Sequence, residues 1–397
     1  MSSCKQSPKV KIKRSIRCWL ALTLSAFPFC VVADELDTIQ LNASLNKTYD
    51  DNIFRQSSNA ISDVITITTL GFRVDKTYSL QRFTLDASYT NFKYNRTDFL
   101  DYDAKNYNAA WLWSLTPNLT GKITSEQTQV LNDFRDFANP IQNIRTSKIQ
   151  RFRAEYSPHQ VWTVIGGVTY TDVTNSQQFN AQADFSAFAF DYGAKYKFPS
   201  GSSLAFLGHN RRGEYSGRPV SAIFDNGYDE TEFEIDAVLK ASGKSSLTAK
   251  LAYIQREYDH LTLRDYQSYI GYVNYDWFIT GKMMANFNLS RTVYPFEQAN
   301  STYSSTDTLK SELIYNVTDK IQASVNARVS DRDFDGRGQF GTIGRTDKEK
   351  GFGGSLKWSP IKNVSLSLNT GKSYRNSTLS QFDFDDTLTS VNLDLKL

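Results

Sequence analysis

Residues 320–330 read KIQASVNARVS, and their order decides the fold class. Ile321, Ala323, Val325, Ala327 and Val329 fall on one side of an extended chain. Lys320, Gln322, Ser324, Asn326, Arg328 and Ser330 fall on the other. Successive strand side chains point to opposite faces, so this alternation describes a strand with one apolar and one wet face. The same two-residue period runs through Ile39, Leu41, Ala43 and Leu45, through Phe233, Ile235, Ala237 and Leu239, and through Val364, Leu366 and Leu368. No segment carries a helical period beyond about two turns.

The period marks about eighteen segments: 37–50, 61–75, 80–95, 103–116, 118–133, 144–157, 161–175, 183–197, 202–214, 228–241, 244–258, 265–278, 281–294, 305–316, 320–332, 347–358, 362–376 and 388–397. Such lengths exceed the ~5–6 residues usual in a sandwich and suit tilted membrane strands. Short links are expected at 76–79, Pro117, 158–160, 199–201, 242–243, near Thr280-Gly281, at 317–319 and at Pro360. Longer links are expected at 51–60, 96–102, 134–143, 176–182, 215–227, 259–264, 295–304, 333–346 and 377–387. Short and long alternate strictly, with both ends of the chain on the short side. Outer-membrane barrels have this rhythm, and a sheet in lipid must close to satisfy its edges. The expectation is an all-β, antiparallel, up-and-down transmembrane barrel of about eighteen strands over 34–397. Trp111, Trp113, Trp277 and Trp358 near strand ends suit an interfacial aromatic girdle.

Residues 1–33 read as a cleaved signal peptide. Lys5, Lys9, Lys11, Lys13, Arg14 and Arg17 precede an apolar run from Cys18 to Val32, and small residues lead to cleavage after Ala33. All three cysteines (Cys4, Cys18 and Cys30) lie in that leader, which leaves no disulfide framework and no thiol chemistry in the mature chain. Removing it also turns 45 basic against 42 acidic residues into 39 against 42, so nothing points to nucleic acid. Mean hydropathy is negative while 14% of residues are aromatic, which suits a barrel around a wet lumen in a Gram-negative outer membrane.

Charged residues on the polar faces are the candidate lumen lining: Arg151, Arg153, Glu155, Asp191, Lys195, Glu232, Glu234, Asp236, Lys250 and Arg328. In lipid each would cost about 2–4 kcal/mol at the midplane, so they are expected to face water or one another. Both signs occur, which argues against strong ion selectivity. Eighteen strands enclose more space than side chains fill, and no plug-sized segment is expected before the barrel. Asp331, Asp333 and Asp335 match the opening of a calcium loop, but Thr342 stands where the closing glutamate belongs; a solvated acidic loop is the plainer reading. No cofactor is expected. Of the three histidines only His209, inside a strand, could serve a barrel hydrolase, and no nucleophile motif accompanies it; the chain is not expected to be an enzyme.

Tyr49-Asp50-Asp51-Asn52-Ile53-Phe54-Arg55, with Trp111-Leu112-Trp113, Leu115-Thr116-Pro117 and Asn132-Asp133-Phe134, resembles the putative β-barrel porin family. The likeness is closer to the EpsL-type outer-membrane proteins of exosortase-associated exopolysaccharide operons. That resemblance implies a channel taking part in exopolysaccharide export and biosynthesis. The partners would be outer-membrane lipid, a polysaccharide cargo, and periplasmic or inner-membrane polysaccharide export proteins. The alternatives are a general diffusion porin for small solutes and a non-transporting surface anchor or adhesin.

Overall fold

The computed structural model describes residues 38–136, 140–177, 183–298, 301–336 and 344–397. The expected leader and the three cysteines lie outside them. Eighteen strands follow one another: β1 (Ile39–Asp50), β2 (Asp63–Tyr78), β3 (Gln81–Tyr94), β4 (Tyr102–Thr116), β5 (Leu119–Leu131) and β6 (Ile144–Tyr156). Then come β7 (Trp162–Asn175), β8 (Phe185–Lys197), β9 (Ser203–Tyr215), β10 (Gly227–Ser242), β11 (Ser245–Tyr258) and β12 (Tyr266–Phe278). The last six are β13 (Met283–Gln298), β14 (Ser301–Thr318), β15 (Ile321–Asp335), β16 (Arg345–Ile361), β17 (Val364–Ser377) and β18 (Phe384–Lys396). Each pairs antiparallel with its sequence neighbours, and β1 pairs with β18 to close the ring. The seam runs to the last residue: Leu41 N–H donates to Leu397 O at 2.9 Å, and Leu397 N–H to Leu41 O at 2.7 Å.

The two-residue period holds around the ring. On β15, Val325 and Val329 are exposed on the outside while Ser324, Asn326 and Arg328 face inward. On β10, Phe233 and Ile235 are exposed while Glu232 and Glu234 are buried inside. Exposed Leu41, Leu45, Leu70, Phe72, Phe190, Leu251, Leu289, Leu309, Phe352, Leu356, Leu368 and Val391 continue the outer belt. An apolar surface encircling the molecule is far larger than the few-hundred-Å² patches of soluble monomers, and lipid is what covers it.

All five described tryptophans, Trp111, Trp113, Trp162, Trp277 and Trp358, lie on that outer face near the tight-turn rim. Trp111 stacks on Phe83 with centroids 5.8 Å apart, and Trp113 on Phe152 at 6.1 Å. Gly121 sits beneath the Trp113 ring, where a Cβ would lie 2.2 Å from both Cζ2 and the Arg153 carbonyl oxygen. Glycine is needed there because a ring and a neighbouring strand share the space a side chain would fill.

Three links depart from expectation. The long link over 295–304 is shorter than expected, because β13 continues to Gln298 and β14 already begins at Ser301. Beyond the lipid neither face must be apolar, so the alternation that marks a membrane strand fades before the strand ends. Pro360 lies inside β16, at an irregularity between Trp358 and Ile361, and the turn is Lys362-Asn363. A proline is tolerated where the ladder already lacks a hydrogen bond. The first tight turn is Ser79-Leu80, with Ser79 at φ 53°, because β2 continues to Tyr78.

Among the described residues, a small cluster of ordinary apolar packing lies at the long-loop end. Ile53, Phe54 and Leu100 form a small buried core, with Ile65, Tyr94, Leu131 and Phe134 against it. Three long links share one device, a single 3-10 turn (Asp98–Leu100, Thr262–Arg264, Ser380–Phe382) followed by an aspartate. Those aspartates, Asp101, Asp265 and Asp383, accept hydrogen bonds from the strand-end amides of Tyr94, Tyr258 and Ser377 at 2.6–2.7 Å. Each fastens its loop back to the rim.

Candidate functional site: a charged lumen with a loop across its mouth

Inside the barrel the strands β8 to β11 form one ionic wall. Alternation puts Glu230, Glu232, Glu234 and Asp236 on the inward face of β10. Cations on the flanking strands meet them. Arg256 Nε donates to Glu230 at 2.8 Å, and Arg211 pairs with the same carboxylate from the other side. Lys250 Nζ donates to Glu232 at 2.8 Å and also pairs with Glu234. His209 bridges Asp191, at 2.6 Å through Nδ1, and Glu234, at 3.8 Å through Nε2. Asp191 also accepts from Thr169 Oγ1 at 2.8 Å. Two recesses of about 350 and 430 Å³ open on this wall. A buried charge persists only when paired and hydrogen-bonded, and Glu230, Glu232 and Glu234 are.

The facing wall is made by β15, β16 and β17. Arg332, Arg345 and Arg375 converge there with Asp347 and Glu349. Arg345 Nε donates to Asp347 at 2.9 Å, and its guanidinium lies 3.5 Å from the Phe382 ring centroid. Into this cluster comes a residue from across the ring. Asp136, in the link between β5 and β6, lies 2.8 Å from Arg332, 3.0 Å from Arg345 and 3.7 Å from Arg375. β15 stands eight strands round from β5 in a ring of eighteen, so residues 132–136 reach across the mouth almost along its diameter. Arg135 adds a contact to Glu349 at 3.4 Å, and its carbonyl accepts from Arg375. Burial pushes the Asp136 carboxyl up, but Arg332, Arg345 and Arg375 outweigh burial and hold it below the ordinary carboxylate range. Beside the crossing lies a cleft of about 790 Å³, lined by Phe54, Arg55, Phe134, Arg135, Asp136 and Arg375 among others.

Two further locks shape the rim. Asp50 accepts both Arg55 Nη atoms at 2.9 Å and the Asn52 amide at 2.9 Å. Asn52 Nδ2 donates to the carbonyls of Gln56 at 2.8 Å and Asp385 at 3.0 Å, and Asp51 accepts from the Thr387 amide at 2.6 Å. Residues 49–55 are thus a clasp over the β1–β18 seam. On the other side Asp225, 1% exposed, joins the β9–β10 and β11–β12 links. It accepts from the amides of Asn226, His260 and Leu261 at 2.7–2.8 Å and contacts His260 Nδ1 at 3.0 Å. Burial pushes its carboxyl up, and the His260 side chain with the three amides more than reverses this.

The structure places all ten charged lumen candidates on inward faces. Arg151, Arg153, Asp191, Glu232, Glu234, Asp236 and Lys250 line one recess together. Arg153 Nε donates to Glu155 at 2.9 Å, Lys195 shares the inward face of Asp191, and Arg328 lies 3.9 Å from Glu349. The aspartate triplet is not brought together as a calcium loop. Asp331 and Asp333 lie on the outward face of a β15 that stays extended to Asp335, where Lys348 and Thr346 meet them. Among the described residues no group of three potential ligands could hold a metal. Thr342 lies outside the described residues. His209 meets the carboxylates of Asp191 and Glu234, and among the described residues no serine pairs with it. Sequence reading missed Arg211, Glu230 and Arg256, which the β10 alternation could have supplied, and Asp136, for which nothing local signals an inward path.

Residues 237–397 match the family described as "Putative beta-barrel porin 2". In fold the chain is similar to a BenF-like porin from Pseudomonas fluorescens Pf-5, at 12% identity and TM-score 0.52, covering 91% of this chain and 100% of that one. The chain is a porin-like barrel of the Gram-negative outer membrane. Similar folds are also found in Pseudomonas aeruginosa OpdK with vanillate (13% identity, 90% and 99% of the two chains, TM-score 0.51) and OccK2 (OpdF) in complex with glucuronate (10%, 91% and 98%, 0.50). No curated protein sequence matches. In a porin-like barrel the tight turns face the periplasm and the long loops face outward. The tryptophan girdle is then periplasmic, and the Asp136 crossing spans the extracellular mouth.

Proposed function

We propose that this barrel is a passive diffusion channel for small hydrophilic solutes. The observation that carries the reading is a lumen walled by paired charges and crossed at its outer mouth by the β5–β6 link. Paired charges present both donors and acceptors at short intervals, so a hydrated solute can exchange water for weak contacts and then leave them. The crossing link sets a size limit that favours small molecules over a polymer. Two of the fold neighbours hold compounds of that size, vanillate and glucuronate.

An exopolysaccharide conduit is the second reading, favoured by the likeness of Tyr49–Arg55 to EpsL-type proteins. It would require the crossing link to swing aside, with polysaccharide as cargo and periplasmic and inner-membrane export proteins supplying the drive. Planar-bilayer recording of the purified mature protein separates the two. Steady channels indifferent to polysaccharide fragments, with liposomes permeable to small sugars, support the porin reading. Channels occluded by the fragments overturn it in favour of the conduit. A folded, silent barrel overturns both and favours a surface anchor.

A further inference from the structure

The arginine cluster on β15–β17 already holds a carboxylate, and that carboxylate belongs to the protein. Asp136 reaches Arg332 and Arg345 at hydrogen-bonding distance from the opposite side of the ring. A second observation shows the cradle is not saturated. Arg375 is 1% exposed, and its Nη1 has no hydrogen-bond partner although Asp136, Asp347 and Glu349 stand 3.7–3.8 Å away. A buried guanidinium normally uses all its donors, because each unmade bond forfeits solvation without return. The same Arg375 lines the 790 Å³ cleft, together with Arg55 and Arg135. That volume takes a solute of several heavy atoms, and the cleft opens beside the Asp136 carboxylate.

We propose that Arg332, Arg345 and Arg375 form a binding site for small organic carboxylates, in which Asp136 is a built-in competitor. Guanidinium groups bind carboxylates with parallel, directional hydrogen bonds, and Asp136 shows that the geometry here accepts one. A solute carboxylate entering from the cleft displaces Asp136, and the Arg375 donor, buried while Asp136 is docked, then turns to it. Displacement frees residues 134–136 from the far wall, so the ligand that fills the site also widens the mouth it passes through. No covalent step is involved. This rests on the channel reading above and adds a solute class to it.

The test uses the purified mature protein in planar bilayers at fixed ionic strength, comparing wild type with Asp136→Asn and Asp136→Glu. Heat-modifiable migration of each variant on gels first confirms a folded barrel. The probes are acetate and the neutral, similar-sized acetamide. In wild type, acetate raises conductance saturably and acetamide does not. Asp136→Asn loses one charge-assisted contact set, which shifts docking toward release by on the order of 10- to 100-fold. It therefore conducts more at rest and no longer responds to acetate, while Asp136→Glu keeps the response. A wild type that is closed at rest but opened by acetate, with an Asp136→Asn that conducts without it, supports the inference equally. Conducting channels with the same conductance in all three proteins, or an acetate response kept by Asp136→Asn, overturn the inference and leave the porin reading standing. Silence from all three folded barrels overturns both.

Discussion

Replacing Asp225 by Asn removes a charge and turns one acceptor into a donor at a buried junction of two extracellular loops. The amides of His260 and Leu261 converge on the same carboxylate oxygen, at 2.7 and 2.8 Å. In Asp225→Asn an NH2 group must face either that pair or the Asn226 amide and the His260 ring. An unsatisfied buried donor costs about 1–3 kcal/mol; one is left if the NH2 group donates to the His260 ring and two if it faces the amide pair, so the range is roughly 1–6 kcal/mol if the junction stays closed. The loops can instead open locally to water, which sets the ceiling and leaves the strand ladders alone. With about 3 kcal/mol lost, the amides of His260 and Leu261 exchange roughly a hundredfold faster. Hydrogen–deuterium exchange read by mass spectrometry on peptides covering 259–265 measures this directly, with peptides from β10 and β11 as internal controls. Unchanged exchange at 260–261 would refute the argument that this carboxylate holds the two loops together. Equal acceleration through β10 and β11 would refute its confinement to the rim. The pH dependence follows from the lowered Asp225 carboxyl. Its stabilisation is complete above the ordinary carboxylate range and is lost only as acid carries the pH down through the depressed value. Wild-type loop protection therefore falls in strongly acidic solution and not near neutrality.

Further expectations concern the lumen and the belt. Glu230→Gln leaves Arg256 and Arg211 facing a neutral amide at a 3%-exposed site. Breaking one partner of a buried pair costs about 3–5 kcal/mol. The lower end is expected here because Arg211 is partly exposed, and a lower urea midpoint in lipid vesicles, restored in part by Glu230→Gln combined with Arg256→Met, measures it. Gly121→Ala drives a methyl into the Trp113 ring and the Arg153 carbonyl, costing about 1–3 kcal/mol with a shift in tryptophan emission; wild-type stability and emission would show that the close approach is slack. Asp136 is held below its ordinary carboxylate value, so the crossing link stays docked through neutral and mildly acid pH. It is released only as pH falls through that depressed value. Conductance that steps between pH 5 and 7 would have to come from another group.

The barrel was legible because its two signals are local. A strand touching lipid on one side and water on the other must alternate, and successive links fall on opposite rims, so one rim of tight turns and one of long loops gives a short–long rhythm along the chain. The lumen was legible only in part. Glu232 and Glu234 stand out because Phe233 and Ile235 on the other face are apolar. Arg345, Asp347 and Glu349 do not, because Thr346, Lys348 and Lys350 opposite them are polar too: the strand has left the lipid there, and period and polarity part company. Asp331 and Asp333 look like loop acids in the sequence for the same reason, although they belong to β15. The Asp136 crossing depends on where β15 stands relative to β5, a relation between residues 196 positions apart that no local pattern records.

The seam between β1 and β18 has a consequence for how such a molecule comes into being. Every inner strand of the ring can find one neighbour as the chain is laid down, but the first must wait for the last. Leu41 exchanges both of its backbone hydrogen bonds with Leu397, and nine residues of β1 have their partners in β18. A chain that stops short of β18 therefore offers two raw edges to a solvent that cannot satisfy them, and membrane insertion fails as a whole rather than by degrees. Geometry alone thus proofreads synthesis: only a finished copy can become a ring, and an unfinished one stays outside the bilayer as an open ribbon, available to proteases.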